Sequence, residues 1–325
     1  MNKENTTTIR DAIRDALKEA LEDPRVFLIG EDIGPYGGAY AVTKGFHKEF
    51  GPERIKDSPL SESVFTGAAA GAAMVGLRPI VEIMTINFSL LALDQIVNHA
   101  TKVRFMSGGQ INCPMIIRTV TGGGGQLAAT HSQSLEGWFA TLPGMKVVAP
   151  STPQDALDLF RACRDEEDPV LFLEHSLLYG KRGAFNLNNP KTDLGKAAIR
   201  RSGKDVTIIA WLKMVDVALE AAVELDKHGI QAEVIDIRTL KPLDSTTILN
   251  SVEKTHKALV LDEAWSFGGF ANEIVHQIQA DGFDYLDFPV MKIAGKNVPL
   301  AYSKVLEDLS IPTSKEIVEK ILANF

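Results

Sequence analysis

Cysteine is nearly absent from these 325 residues, with only Cys113 and Cys163 present. Two cysteines without a metal-ligand spacing exclude a disulfide-stapled scaffold and fit a reducing compartment. Long apolar runs are lacking as well. The uncharged stretch Ser63–Leu77 is too short to span a bilayer and is followed at once by Arg78, Pro79 and Glu82, so no membrane helix is expected. There is no basic excess: 34 Lys and Arg stand against 42 Asp and Glu, a net charge of −8, which argues against nucleic acid as the main partner. The opening MNKENTTTIRDAIRDAL reads as neither a signal peptide nor an Arg-rich, acid-poor transit sequence, giving a cytoplasmic expectation. Catalytic fingerprints are missing too, since no GxGxxG follows a strand and there is no GxSxG elbow or HExxH pair. The glycine run Gly122–Gly125 is not followed by the Gly-Lys-Ser/Thr of a phosphate loop. A Gly-Asp-Gly triplet with paired asparagines downstream, the metal-diphosphate signature, is also absent: the Asn188-Asn189 pair has no such triplet before it. Neither a short-period repeat nor a low-complexity segment appears.

What is present is the composition of a soluble globular protein, 45% hydrophobic and 23% charged, long enough for two domains. The charge is segregated. Residues 205–325 hold 11 basic and 19 acidic side chains, while residues 1–204 balance, which suggests separate domains and makes the second a dock for a basic partner. After a first helix capped by Thr8, buried strands are expected at Val26–Gly30, Ile80–Met84, Met115–Arg118, Lys146–Ala149 and Val170–Glu174. Helices are expected around Thr66–Gly76, Leu90–Val103 and Pro153–Arg164. The βα rhythm restarts at Val206 and runs to Ile293. The expectation is an α/β chain: a doubly wound, mostly parallel domain over 1–180, a polar linker over 181–204 and a smaller α/β domain over 205–325.

Within this frame Glu62 stands out. It immediately precedes a helix whose face is nearly bare, with Gly67 and Gly71 four apart and alanines between. A carboxylate in so tightly packed a neighbourhood needs a specific partner or a raised pKa. A plainer role is also open, because a glutamate flanked by Ser61 and Ser63 in a first helical turn is a favourable charge on the helix dipole. Asn87-Phe88-Ser89 follows a strand, at the sheet edge where open α/β folds bind ligands. Gly122–Gly125 reads as a mobile loop that lets backbone approach a ligand, and His131 lies just beyond it. Sheet edges and a site-like carboxylate without a phosphate anchor make half of an active site.

The ordered segments LIGEDIG (28–34), SPLSE with its small-residue helix, GLRPIVEIMTINF (76–88), DQIVNHATKVRFMSGG (94–109), THSQS (130–134), PGMKVVAPSTPQDA (143–156) and IDIRTLKPLD (235–244) resemble the beta subunits of the thiamine-diphosphate-dependent decarboxylating component of 2-oxo acid dehydrogenase complexes. The resemblance covers nearly the whole chain. It implies a pyrimidine-binding domain followed by a transketolase C-terminal-like domain, and an alpha2beta2 heterotetramer in which the alpha subunit holds Mg2+ and the diphosphate. It further implies that neither chain is active alone. Glu62 matches the glutamate that hydrogen-bonds a pyrimidine nitrogen, Phe88 the aromatic stacked on that ring, and Leu60 and Met84 its neighbours. His131 matches a histidine near the substrate and lipoyl entrance. Some relatives hold K+ with backbone oxygens, at positions matching Met115, Cys163, Arg164, Glu166 and Asp168. The implied activity is oxidative decarboxylation of a small 2-oxo acid, with acyl transfer to a lipoyl acyltransferase held through its subunit-binding domain. The MTINF segment points to pyruvate, Ser63-Val64 departs from the methionine-glycine of pyruvate-specific members, and acetoin or branched-chain 2-oxo acids are the alternatives. An alternative of another class is a noncatalytic α/β scaffold.

Overall fold

The computed structural model describes residues 6–325; residues 1–5, with which the expected first domain begins, lie outside the described residues. The chain divides into two compact units, one ending at Thr121 and resuming over Trp138–Leu194, the other made of Gly122–Gly137 and Gly195–Phe325.

In the first unit, strands β1 (Thr6–Thr8) and β8 (Arg182–Ala184) form a small antiparallel pair. The main sheet contains β2 (Val26–Glu31), β3 (Ile55–Ser58), β4 (Arg78–Ile83), β5 (Ile116–Thr121), β6 (Lys146–Val148) and β7 (Val170–His175). They lie in the order β6-β7-β5-β4-β2-β3 with all neighbours parallel. Both faces of such a sheet are covered, so its strands read as continuous apolar runs, and every residue of β5 and β7 is buried. Helices α1 (Ile9–Ala20) and α6 (Pro153–Arg164) pack on each other. Each starts at a threonine, Thr8 or Thr152, whose side chain accepts the backbone N–H of an aspartate three residues on. Arg161 joins the pair, donating two hydrogen bonds to the Glu19 carboxylate at 2.8 and 2.5 Å.

The shorter helices of this unit are α2 (Phe46–Phe50), α4 (Val103–Met106) and part of α5 (Glu136–Ala140); α3 spans Glu62–Met74. The helix expected at Leu90–Val103 is broken into a 3₁₀ turn at Ile86–Ala92, a π-helical turn at Gln95–Ala100 and α4. Asn98 donates to the Asp94 side chain at 2.7 Å, and the Thr101 hydroxyl bonds back to the Val97 carbonyl at 2.8 Å, a competition with the backbone that bends helices. The break leaves Ile96 and Ala100 buried.

The second unit holds β9 (Ala198–Arg201), β10 (Val206–Ala210), β11 (Ala232–Asp236), β12 (Thr239–Lys241), β13 (Ala258–Trp265) and β14 (Met291–Gly295). Five of these form a sheet in the order β14-β13-β10-β11-β9, parallel except for β9 on β11. Helices α7 (Lys213–Asp226), α8 (Ser245–Thr255), α9 (Ala271–Asp281), α10 (Lys304–Asp308) and α11 (Ser314–Leu322) accompany it. Its core joins α7 to the sheet through Ala218, Ala222 and Leu225 against Ile208, Val234 and Leu261, with Ile317 and Ile321 of α11.

The segment 181–204, expected as a linker, contains β8 and β9. Its polar, aperiodic sequence hid edge strands, which carry few apolar residues. The glycine stretch Gly122–Gly137, expected inside the first domain, clusters with the second unit.

Candidate active site

Glu62 is the first residue of α3 and is buried at 5% exposure. Ser61 before it does not cap the helix; its hydroxyl donates to the Pro59 carbonyl at 2.9 Å. Among the described residues the Glu62 carboxylate takes no hydrogen bond or ion pair. One turn on, the hydroxyl of fully buried Thr66 also has no partner. The surroundings are acidic. Burial pushes the Glu31 carboxyl upward, and the charges of Asp32, Glu62 and Asp57 add to it. Asp57 also receives the Gly34 N–H at 3.1 Å, tying the loop after β2 to the end of β3. A side chain on Gly34 would strike Asp57 at 2.9 Å. Such a site demands a partner that brings protons or positive charge.

Helix α3 packs on β4 and on the 3₁₀ turn that carries Phe88. Met84 and Phe88 are half-buried at the carboxyl end of β4, and Leu60 is 73% exposed. The sheet and α3 thus bring Glu62 and Phe88 onto packed neighbouring elements, with Met84 at the strand end between them in sequence. The bare helix face has two uses. At Gly67 an added Cβ would lie 2.8 Å from Gln95, so this glycine permits close approach of the π-helical turn. Gly71 meets nothing within 4 Å, and with Val64 and Val75 it forms an exposed stripe.

Beneath this edge lies a group that the sequence reading missed. Arg118 of β5, 2% exposed, donates to both oxygens of Glu174 at 2.7 and 2.9 Å and to Glu82 at 2.7 Å. The Tyr179 hydroxyl donates to Glu174 at 2.6 Å. Burial raises the Glu82 carboxyl, although Arg118 opposes the shift. The signal was available: charged residues within otherwise apolar parallel strands must pair with one another.

His131 belongs to the second unit and is exposed, its Nδ1 2.9 Å from the Thr130 hydroxyl. The glycine stretch before it is not loose. Glu263 accepts the Gly123 N–H at 2.7 Å, and Glu307 accepts those of Gly124 at 3.0 Å and Gln126 at 3.1 Å. The mobile loop expected there is pinned by carboxylates. Neighbouring Asp262 is fully buried, and burial together with the Glu136 charge raises its carboxyl to about 7. Because the folded value lies above the unfolded one, Asp262 takes up a proton on folding between about pH 4 and 7. Stability should therefore fall as pH rises through that window, and urea unfolding of Asp262→Asn should show a flatter slope there than the parent chain.

Several of the carbonyls expected to hold potassium accept hydrogen bonds within the protein. The carbonyls of Arg164 and Glu166 accept hydrogen bonds from one guanidinium nitrogen of Arg78 at 2.7 and 3.1 Å, and its other terminal nitrogen pairs with Glu167. The Cys163 carbonyl takes the Glu166 N–H, the Met115 carbonyl takes the Val170 N–H, and the Asp168 carboxylate takes Arg104. A fixed positive charge at these carbonyls disfavours a second cation beside it. At equal ionic strength, potassium and sodium chloride should give the same Tm; a saturable rise specific to potassium would show the carbonyls to be free.

Comparison with known proteins agrees with this architecture. The transketolase pyrimidine-binding domain family matches residues 5–181 and the transketolase C-terminal domain family residues 195–317. The beta-1 subunit of the mitochondrial pyruvate dehydrogenase E1 component of Arabidopsis thaliana is 45% identical over 318 residues, 96% of this chain and 87% of that one. The chain belongs to the pyruvate dehydrogenase E1 beta subunit family. The family's Rickettsia conorii member is 43% identical, with 97% of each chain covered. A solved split-gene transketolase, described as an inactive beta4 tetramer, superposes with a TM-score of 0.79 at 25% identity over 97% of each chain. The transketolase of Campylobacter jejuni shares the fold, with a TM-score of 0.71 at 16% identity over 99% of this chain and 47% of that one. Among the described residues no helix is long and apolar enough to cross a membrane.

Proposed function

We propose that the chain is the beta subunit of a pyruvate dehydrogenase that decarboxylates pyruvate oxidatively and passes the acyl group to the lipoyl arm of an acyltransferase. The observation that carries this reading is Glu62, a carboxylate 5% exposed with no partner within the described residues. An unpaired buried carboxylate is costly, and a ring nitrogen that shares its proton removes the cost. Glu62 would accordingly share the proton of the cofactor's pyrimidine, with Phe88 as the aromatic partner of the ring and Leu60 and Met84 as its neighbours. When bound, thiamine diphosphate supplies the electron sink for decarboxylation. His131 donates a proton or positions the dithiolane in acyl transfer.

The alpha subunit completes the enzyme, in an alpha2beta2 assembly. It holds Mg2+ and the diphosphate, since this chain lacks the metal-diphosphate motif and its described residues contain no cluster of His, Cys, Asp or Glu able to hold a metal. The exposed stripe of Val64, Gly71 and Val75 on α3 is suited to close helix packing against that partner. The unit boundaries proposed from sequence are 1–180 for pyrimidine binding and 205–325 for the C-terminal domain. The acidic residues 205–325 recruit a basic subunit-binding domain of the acyltransferase, and this binding should weaken as salt rises; salt-insensitive binding contradicts it. Both cysteines are free and buried, which supports a cytoplasmic setting, to be checked by fractionation.

The deciding assay mixes the chain with its alpha partner, thiamine diphosphate, Mg2+ and an electron acceptor, and compares pyruvate, acetoin and 2-oxoisovalerate. Preference for pyruvate is expected; preference for either of the others overturns the substrate assignment. Full turnover after loss of both Glu62 and His131 would instead reveal a scaffold.

A further inference from the structure

Glu307 sits on α10, is 0% exposed, and directs its carboxylate at the glycine stretch. Its hydrogen bonds all go to that stretch: Gly124 N–H at 3.0 Å to one oxygen, and Gln126 N–H at 3.1 Å to each. Glu263, at the end of β13, takes the Gly123 N–H at 2.7 Å. The backbone between these bonds is bent to match, with Gly124 at φ 87° and Gln126 at φ 56°, the latter a conformation that a non-glycine residue adopts only when its surroundings hold it there. Gly123 has no room for a side chain, because a Cβ would lie 2.3 Å from Leu300. From Gln126 the chain makes one more left-handed turn at Ala128, whose carbonyl accepts the His131 N–H at 3.2 Å. The Gly122 N–H closes the base of the loop on the Gln133 carbonyl at 3.4 Å.

We propose that Glu307 and Glu263 are positioning residues, a two-carboxylate clamp that fixes the loop carrying His131 for acyl transfer. The inference rests on the role assigned to His131 above. Its physical basis is asymmetric. The Glu307 carboxylate, 0% exposed and held among the described residues by the Gly124 and Gln126 N–H groups, cannot release the loop without being stranded, so the loop stays closed although it is built from glycine. A carboxamide in its place has one acceptor oxygen and an NH2 group that faces an amide N–H, and it lacks the charge that strengthens the bonds.

The test uses Glu307→Gln in the full chain, alone and assembled with the alpha subunit. Amide hydrogen exchange over residues 122–137 should speed up roughly tenfold or more, the equivalent of losing one charge-assisted hydrogen bond. In the assembled enzyme, acyl transfer to the lipoyl domain should fall roughly tenfold, while decarboxylation read with an artificial electron acceptor stays within about twofold. Should Glu307→Gln fail to fold, Glu263→Gln weakens the Gly123 contact and reads the same two quantities. Unchanged exchange, or an equal fall of both reactions, overturns the clamp. His131→Gln serves as the control. If it slows transfer and Glu307→Gln does not, the clamp alone is wrong; if it leaves transfer untouched, the role of His131 is wrong and the clamp has no function in acyl transfer.

Discussion

Turnover of pyruvate by the assembled enzyme is expected to fall by about 10²–10⁴-fold when Glu62 is replaced by alanine, the range that a positioned proton-transfer group contributes. The Tm of the chain should stay level or rise, because the substitution removes a buried carboxylate that no described residue pairs. This opposition of activity and stability separates the two roles left open by the sequence. A glutamate that merely complements the helix dipole is worth a few tenths to about 1 kcal/mol; its loss would lower the Tm slightly and leave turnover alone. A site residue shows the reverse, since function retains a group that folding does not favour.

The largest stability effect should come from Arg118→Met. Arg118 is the cation between Glu82 and Glu174, and the substitution leaves both carboxylates without it, Glu174 keeping the Tyr179 hydroxyl, in a site where Arg118 and Glu174 are 2% and 1% exposed. Breaking a buried pair by removing one partner costs about 3–5 kcal/mol, a Tm loss on the order of 10 °C for a chain of this size. The sign of the pH dependence follows. Burial already raises the Glu82 carboxyl, and Glu174 adds to it. Without the guanidinium that opposes this shift, Glu82 takes up a proton more readily when folded, so the defect should be largest at neutral pH and above and should shrink as pH falls toward the ordinary carboxylate range. Chemical denaturation of the variant at pH 5 and pH 8 measures this; an equal loss at both would mean that packing, and not charge, sets the cost.

The sequence made some of this legible and concealed the rest for identifiable reasons. The central strands were readable because both faces of a parallel sheet are covered, so VFLIG and VLFLE appear as unbroken apolar runs. The burial of Glu62 was foreshadowed by the run of glycine and alanine that follows it, although the sequence left a helix-dipole role open beside a site role. Edge strands β8 and β9 were not, since half-exposed strands such as Ala198–Arg201 carry charged residues and no alternation. The break in the Leu90–Val103 helix was hidden because the Thr101 hydroxyl bonds back to the Val97 carbonyl, a competition that a hydrophobic period does not register. The loop at Gly122–Gly125 reads as mobile from composition, yet its stiffness is set by Glu263 and Glu307, more than a hundred residues away in the chain. The hydrogen bonds of Arg78 to the Arg164 and Glu166 carbonyls were hidden for a similar reason, because Arg78 is remote in sequence from both.

The central claim is that Glu62 holds the proton of a cofactor anchored by another chain. The most direct test is the rate at which the acidic thiazolium C–H of thiamine diphosphate exchanges with deuterium in the assembled alpha and beta subunits, followed by NMR after acid quench. With native Glu62 exchange should be fast, and with Glu62→Ala it should slow by about 10²–10⁴-fold while the cofactor stays bound. Equal exchange rates in the two assemblies would contradict the account.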